Sequence, residues 1–225
     1  MGRPTRLTLV LSLLVANLTT AAGNPSSATI FLNPPIVTGG LKSIATVTLP
    51  SPAPAEGVIV HLNASDGTST SNPNPAESPA ATVPPQVTIP AGKTSATFTI
   101  DTRPVAGTTR ASISAKVGDT PTVAELSVVP PEVARTWLKA GFVRGGQSIT
   151  GDVMLTGPAP EGGFSVSLTS DNKQIVILPT ALTVPAGQST ATFTIQTKQV
   201  SSATSVTIAA SSPMVTRTFP LRVVP

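Results

Sequence analysis

The chain has one histidine, His61, and no cysteine. A catalytic triad of the hydrolase type needs a histidine beside a nucleophile and an orienting carboxylate. No Gly-x-Ser-x-Gly turn of the kind that exposes a nucleophilic serine accompanies His61. In the alternating run around it, His61 shares a phase with Ile59 and Asn63, opposite the apolar residues. The pattern predicts a solvated strand residue, and hydrolase activity at His61 is the third of three functional hypotheses.

Carboxylates are the next candidates, and the ten acidic residues are scattered singly. Glycoside hydrolysis needs two acids flanking one cleft, and Ca²⁺ takes about six to eight oxygen ligands. The segments NASDG, at 63–67, and TSDN, at 169–172, offer one or two oxygens each at equivalent loops. Calcium at these loops is kept as an alternative. The sequence otherwise predicts no catalytic residue, no metal site and no cofactor.

Aromatic side chains could form a platform for sugars, but most fall on faces predicted to point inward. The chain has one Trp, six Phe and no Tyr. Phe98, Phe164, Phe193 and Phe219 have the phase of core residues. Trp137 and Phe31 have the opposite phase, at equivalent positions of two first strands. Trp137 either covers the domain boundary or a sheet edge, or serves as a ligand platform.

A long internal repeat organises these residues. VTIPAGKTSATFTIDT, at 87–102, returns as LTVPAGQSTATFTIQT at 182–197, with ten of sixteen positions identical. Residues 37–65 align with 143–171 at an offset of 106, and from residue 87 onward the offset is 95. The first copy therefore carries eleven extra residues. The repeat predicts two homologous units, 24–131 and 132–225.

The extra residues lie within DGTSTSNPNPAESP, at 66–79, which is polar, rich in proline and without periodicity. Such a segment is typical of an exposed loop, and loops on rigid sandwiches often carry binding. Lengthening a loop costs little entropy, so the alternative is that the insertion is a tolerated surface loop without a binding role. If the loop binds a ligand, the candidate surface comprises Asp66, Asn72, Asn74 and Glu77, together with Trp137.

Period-two alternation predicts about seven strands in each unit. In the first unit these lie near 28–32, 43–49, 57–63, 86–90, 94–101, 109–117 and 122–129. Ala96, Phe98 and Ile100 illustrate the apolar face, and the second copy keeps the phase with Ala191, Phe193 and Ile195. One apolar face per strand is what two antiparallel sheets packed face to face require. The predicted fold class is all-β, with two tandem sandwiches.

The first 23 residues have the layout of a secretory signal peptide: Arg3 and Arg6, an apolar run from Leu7 to Ala16, then small residues. Cleavage is expected after Ala22 or Gly23, and an uncleaved anchor is the alternative. No later apolar stretch is long enough to span a bilayer. Removing two arginines from 14 basic residues leaves 12, against 10 acidic residues. This near-balance predicts no nucleic-acid partner.

Three motifs recur in both units and resemble those of immunoglobulin-like repeats in exported and cell-surface bacterial proteins. In the first unit they are Gly39-Gly40, Pro52-Ala53-Pro54 and Pro90-Ala91-Gly92 through Phe98. In the second they are Gly145-Gly146, Pro158-Ala159-Pro160 and Pro185-Ala186-Gly187 through Phe193. The resemblance covers nearly all of the chain after the signal peptide, implies immunoglobulin-like sandwiches and carries over no catalytic residue. The chain also resembles Calx-β domains more distantly, but it lacks the clustered acidic residues of their calcium-binding members.

These observations favour a non-enzymatic exported protein, secreted or held at the cell envelope, with a structural, adhesive or spacer role. The junction VVPPEV supports this because proline restricts the backbone, so the linker is short and semi-rigid. The second hypothesis is a module that binds a polysaccharide or cell-wall ligand through the insertion loop and Trp137. The expected partner is a protein or glycan at the cell surface. The chain is interpreted as a monomer or as part of a longer array.

Overall fold

The structure, a computed structural model, describes residues 28–66 and 79–225, and this part of the chain forms eighteen strands and no helix. The first nine strands are β1 (Thr29–Asn33), β2 (Ile36–Thr38), β3 (Lys42–Thr48), β4 (Val58–Asp66), β5 (Ala81–Thr82), β6 (Gln86–Ile89), β7 (Ser95–Thr102), β8 (Thr109–Val117) and β9 (Thr120–Val129). The second nine are β10 (Val133–Leu138), β11 (Phe142–Arg144), β12 (Ser148–Leu155), β13 (Phe164–Ser170), β14 (Val176–Ile177), β15 (Ala181–Val184), β16 (Thr190–Thr197), β17 (Thr204–Ser211) and β18 (Thr216–Val224).

The strands form two sandwiches with the same topology. In the first, a four-stranded sheet in the order β1-β3-β7-β5 faces a five-stranded sheet in the order β2-β9-β8-β4-β6. In the second, the orders are β10-β12-β16-β14 and β11-β18-β17-β13-β15. The β1-β3-β7-β5 and β9-β8-β4 arrangements correspond to the ABED and GFC sheets of the immunoglobulin fold. The predicted fold class is confirmed.

The structure adds two short strands to each predicted set of seven. β2 and β11 are three residues long and pair in parallel with β9 and β18, and β5 and β14 are two residues long. Every other ladder is antiparallel among the pairs that the structure describes. Strands this short cannot display an alternating pattern, which explains why the sequence did not indicate them.

Each sandwich has its own hydrophobic core. The first core extends from Leu32 to Val128 and the second from Val133 to Val223. Matched residues lie at the two centres: Ile100 and Ile195, and Ile113 and Ile208, are all fully buried. The four phenylalanines predicted to point inward are at most 9% exposed, as expected. The exact limits of the two units, 24–131 and 132–225, stay a prediction.

The recurring Pro-Ala-Pro and Pro-Ala-Gly motifs are hydrogen-bonded to each other. Ala53 donates its N–H to Lys93 O at 2.8 Å and accepts the Gly92 N–H at 2.9 Å. Ala159 makes the same pair of bonds with Gln188 and Gly187, at 2.7 and 2.9 Å. Gly92 has a φ of 72°, as position i+2 of a type II turn requires. The two motifs therefore recur together because they form one structural unit.

Within the described ranges, no helix is long and apolar enough to cross a membrane. The predicted signal peptide, 1–23, and most of the insertion loop lie outside the residues that the structure describes.

Candidate functional site

Asp66, the first residue of the proposed binding surface, closes the base of the insertion loop. Its carboxylate oxygens accept the Ala80 N–H at 2.9 and 3.2 Å. The Ala80 carbonyl in turn accepts the Arg103 N–H at 3.0 Å, which anchors the returning chain beside β7. The Asp66 carboxylate thus binds a backbone amide that lies 14 residues further along the chain.

The second unit makes the same anchor without the insertion. Asn172 occupies the place of Asp66, and its side-chain oxygen accepts the Gln174 and Ile175 N–H groups at 3.2 Å each. Ile175 corresponds to Ala80, and its carbonyl accepts the Lys198 N–H at 2.9 Å. The extra residues of the first copy are therefore inserted between Asp66 and Ala80, which are held by the same kind of hydrogen bond as in the second copy. This explains how the sandwich accommodates them without a change in sheet order.

The structure places the other predicted surface residues apart from one another or outside its described part. Asn72, Asn74 and Glu77 lie in segment 67–78, outside the residues that the structure describes, so their membership of a surface stays a prediction. Asp66 ends β4 of the first sandwich, whereas Trp137 lies in β10 of the second. That the insertion loop and Trp137 form a single site stays a prediction.

Trp137 lies on the outer face of the edge strand β10 and is half-buried. The Arg135 guanidinium carbon lies 5.3 Å from the centroid of its ring, in the range of a cation–π contact. Across the sheet Trp137 is paired with Asp152, whose carboxylate accepts the Thr192 hydroxyl proton at 2.6 Å. The indole is therefore part of a row of side chains that crosses three strands.

Phe31 occupies the corresponding place in the first sandwich. It is paired with Thr46, the counterpart of Asp152, and its side chain is 68% exposed. Ile44, at the diagonal position on β3, is 53% exposed. Diagonal neighbours on one face lie within reach of large side chains, so Phe31 and Ile44 form an apolar patch. Each sandwich thus presents one aromatic ring on the same outer face.

His61 and most of the acidic residues that the structure describes are exposed. His61 is exposed on β4, opposite Gln86 on one side and Lys116 on the other. Asp101 pairs with Lys42 at 2.9 Å on an exposed face. Among the described residues, no three His, Cys, Asp or Glu side chains come close enough to hold a metal ion. In one of the two loops at which calcium was kept as an alternative, the Asp171 carboxylate accepts the Thr207 N–H at 3.0 Å.

The two sandwiches contact each other through the glycine pair of the first and the Pro-Ala-Pro loop of the second. A Cβ added to Gly40 would overlap Pro158 Cγ and lie 3.3 Å from Pro104 Cγ. A Cβ added to Gly157 would lie 2.8 Å from Thr38 Cγ2. The Pro158 ring therefore packs directly on the Gly40 backbone, which only glycine can offer at this separation.

The covalent linker between the sandwiches is short, and hydrogen bonds hold both of its ends. Gly39 donates its N–H to Val129 O at 2.9 Å on one side. On the other side, Glu132 donates its N–H to the Thr156 hydroxyl at 3.0 Å and accepts the Thr156 N–H at 2.9 Å. Pro130 and Pro131 lie between these ends, and Pro131 is buried. This contact was missed from the sequence, although the recurring GG and PAP motifs mark both of its sides.

No model of a known protein family matches the chain, and no curated protein matches it. Solved structures of similar fold include the Yersinia pseudotuberculosis adhesin InvE, which is 18% identical with a TM-score of 0.37. The Escherichia coli adhesin FdeC is 16% identical with a TM-score of 0.38. Titin domains z1z2, solved in complex with telethonin, are 15% identical with a TM-score of 0.29.

These alignments cover 87%, 87% and 84% of this chain, and 58%, 62% and 90% of the InvE, FdeC and titin chains. The chain thus spans about six-tenths of the length of each adhesin structure. At these identities the likeness concerns the fold alone. The Calx-β likeness stays a prediction.

Proposed function

We propose that this protein is a non-catalytic exported module that serves as a structural spacer or adhesive element at the cell surface. The observation that carries the proposal is the junction between the two sandwiches. Two prolines separate hydrogen-bonded ends, and the Pro158 ring packs on Gly40 across the boundary. A linker without free amide donors, reinforced by a direct contact, supports a fixed orientation of the two units. Fixed orientation is what a spacer needs.

The distance between spin labels at Thr99→Cys and Thr194→Cys tests this proposal. These exposed residues occupy matched positions on β7 and β16, and the chain has no cysteine that would compete for the label. We expect a single narrow distance distribution. Pro158→Gly combined with Pro130→Gly should broaden it, because both restraints are lost. A broad distribution in the otherwise unchanged chain would contradict the spacer role.

The paired aromatic positions favour a second candidate function, the binding of a cell-surface glycan. Phe31 and Trp137 occupy the same outer-face position of their sandwiches, so two weak contacts could act together on one extended ligand. The expected ligand is a polysaccharide, since sugar rings stack on exposed aromatic faces. The insertion loop 67–78 is a further candidate for this surface.

Binding to cell-wall polysaccharides tests this second function. Phe31→Ala and Trp137→Ala should each weaken saturable binding, and the double variant should abolish it because both platforms are gone. Deletion of residues 67–78 shows whether the loop contributes. Unchanged binding in the double variant, or none in the unmodified protein, would rule out the aromatic platforms.

Export is proposed on the N-terminal sequence. We expect the protein recovered from outside the cytoplasm to begin at Gly23 or Asn24, as given by the mass of its N-terminal peptide. A peptide that still includes Arg3 and Arg6 would instead indicate a retained anchor.

A further inference from the structure

The surface that receives Pro158 in the first sandwich has an open counterpart in the second. We define the first seat as Thr38, Gly39, Gly40, Pro104 and Val105. The second seat comprises the corresponding residues Arg144, Gly145, Gly146, Gln199 and Val200. The two glycine pairs share their backbone conformation, with φ of 86° at Gly40 and 85° at Gly146. The second seat therefore offers the same bare backbone.

What lies above the two glycine pairs differs. At Gly40 an added Cβ would overlap the Pro158 ring, whereas at Gly146 the nearest atom is Gln199 Cγ at 3.4 Å. Gln199 stands in the place of Pro104, and its Cγ and Nε2 lie 3.4 and 3.8 Å from the added Cβ. No other group apart from the chain neighbours lies within 4 Å, so only the flexible Gln199 side chain occupies the space that the Pro158 ring fills in the first seat. An open depression of about 470 Å³ lies here, lined by the second seat except Gly146, and by Gln147 and Pro225.

The loop that would fill this depression is also present and uncovered. Ser51–Pro54 of the first sandwich corresponds to Gly157–Pro160 of the second, and we call it the free loop. Ser51 and Pro52 are exposed, whereas Gly157 is buried and Pro158 is half-buried against the first seat. Ala53 holds the backbone of the free loop through its bonds to Gly92 and Lys93. Ala159 makes the equivalent bonds to Gly187 and Gln188 in the second unit. The free loop is thus already in the shape that docks.

We propose that the second seat binds the free loop of a second copy of this chain, which produces head-to-tail association. The internal contact between Pro158 and Gly40 is the template for the intermolecular one. Because the two surfaces differ, the contact is heterologous and leaves a free loop and a free seat at the ends of every assembly. Such an assembly grows as an open chain rather than closing as a symmetric dimer. This goes beyond the spacer role, since it supplies a partner.

The association is weaker than its template, for two physical reasons. Covalent linkage gives the internal contact an effective concentration of the order of millimolar, which separate molecules lack. In addition, Arg144 and Gln199 replace Thr38 and Pro104, and Ser51 brings a side chain to the place of Gly157. A Cβ added to Gly157 would lie close to Thr38. Ser51 has such a Cβ and would face Arg144, which is longer than Thr38, so Ser51 would have to shift. The contact suits molecules concentrated on a surface.

Thiol cross-linking between two single-cysteine variants tests the geometry. Pro52→Cys and Gln199→Cys, mixed and treated with a short bismaleimide, should give a mixed dimer well above either variant alone. His61→Cys, exposed on β4 away from both surfaces, is the matched control and should give only background when mixed with Gln199→Cys. A cross-linking yield equal to that of the His61→Cys control would overturn the proposal. Dimers that form only between two copies of the Pro52→Cys variant would overturn it as well.

A gain-of-association variant tests the same contact in a second way. Arg144→Thr, Gln199→Pro and Ser51→Gly together rebuild the first seat and the second loop. We expect this variant to associate about tenfold more tightly in sedimentation equilibrium, because an apolar ring and a methyl contact are restored. Trp137 fluorescence and circular dichroism on denaturation together confirm that both sandwiches are folded. A folded variant that remains monomeric at concentrations near 1 mM, about the effective concentration of the tethered contact, would overturn the proposal.

Discussion

At the scale of single residues, Asp66 and Asn172 accept hydrogen bonds from backbone amides at equivalent positions. The Asp66 carboxylate binds the Ala80 N–H, as Asn172 binds the Ile175 N–H. Asp66 was predicted as part of a binding surface from its place at the start of a polar loop, and that role stays a prediction. The alignment could have indicated these hydrogen bonds, because Asp66 and Asn172 are aligned at an offset of 106 and both residue types bind local amides. The partner could not be predicted, since it lies beyond the insertion.

Substitution at Asp66 should separate its acceptor role from its charge. Asp66→Asn preserves an oxygen for the Ala80 N–H, so stability should change little. Asp66→Ala removes the acceptor and should cost about 1 kcal/mol in the free energy of unfolding of the first sandwich. Hydrogen exchange at the Ala80 amide should accelerate in the alanine variant alone. Equal acceleration in both variants would show that the charge matters, and not the acceptor.

At the scale of elements, period-two alternation was enough to predict the long strands. All seven strands expected in the first unit are present, because each is long enough to show an inward and an outward face. β2 and β5 were missed since pairing with a neighbour, and not local pattern, defines them. The recurring glycines are visible in the sequence as motifs, but their close contacts depend on segments distant in the sequence. Gly39, for example, lies against the backbone of Arg103 and Val105.

Two glycine substitutions should differ in cost for this reason. Gly92→Ala meets no atom within 4 Å, so only its φ of 72° opposes the change. We expect about 1–2 kcal/mol of destabilisation, the usual cost of a left-handed conformation for an L-residue. Gly39→Ala would place Cβ 2.5 Å from Arg103 O and 2.9 Å from Val105 N, and should cost clearly more. Urea denaturation of both variants measures the difference, and equal costs would contradict the role assigned to close approach.

At the scale of the whole molecule, the repeat predicted two units, and two separate cores are present. What the sequence could not indicate is how the units meet. That contact joins a glycine pair to a proline loop 118 residues away in the chain, at Gly40 and Pro158. No local pattern encodes a pairing at this separation. The contact that we propose with a second molecule uses the same two motifs, because each of them recurs in both units.

The central claim is that the chain folds as two sandwiches with independent cores, and Trp137 offers a direct test. It is the single tryptophan of the chain and lies in the second sandwich, so its fluorescence reports the unfolding of that sandwich. Ile113 and Ile208 are matched, fully buried residues of the first and second cores. Ile208→Ala should lower the unfolding free energy reported by Trp137 by about 2–5 kcal/mol, the usual cost of such a cavity. Ile113→Ala should leave that transition nearly unchanged while circular dichroism shows the first sandwich destabilised. Equal shifts of the Trp137 transition in both variants would contradict two independent cores.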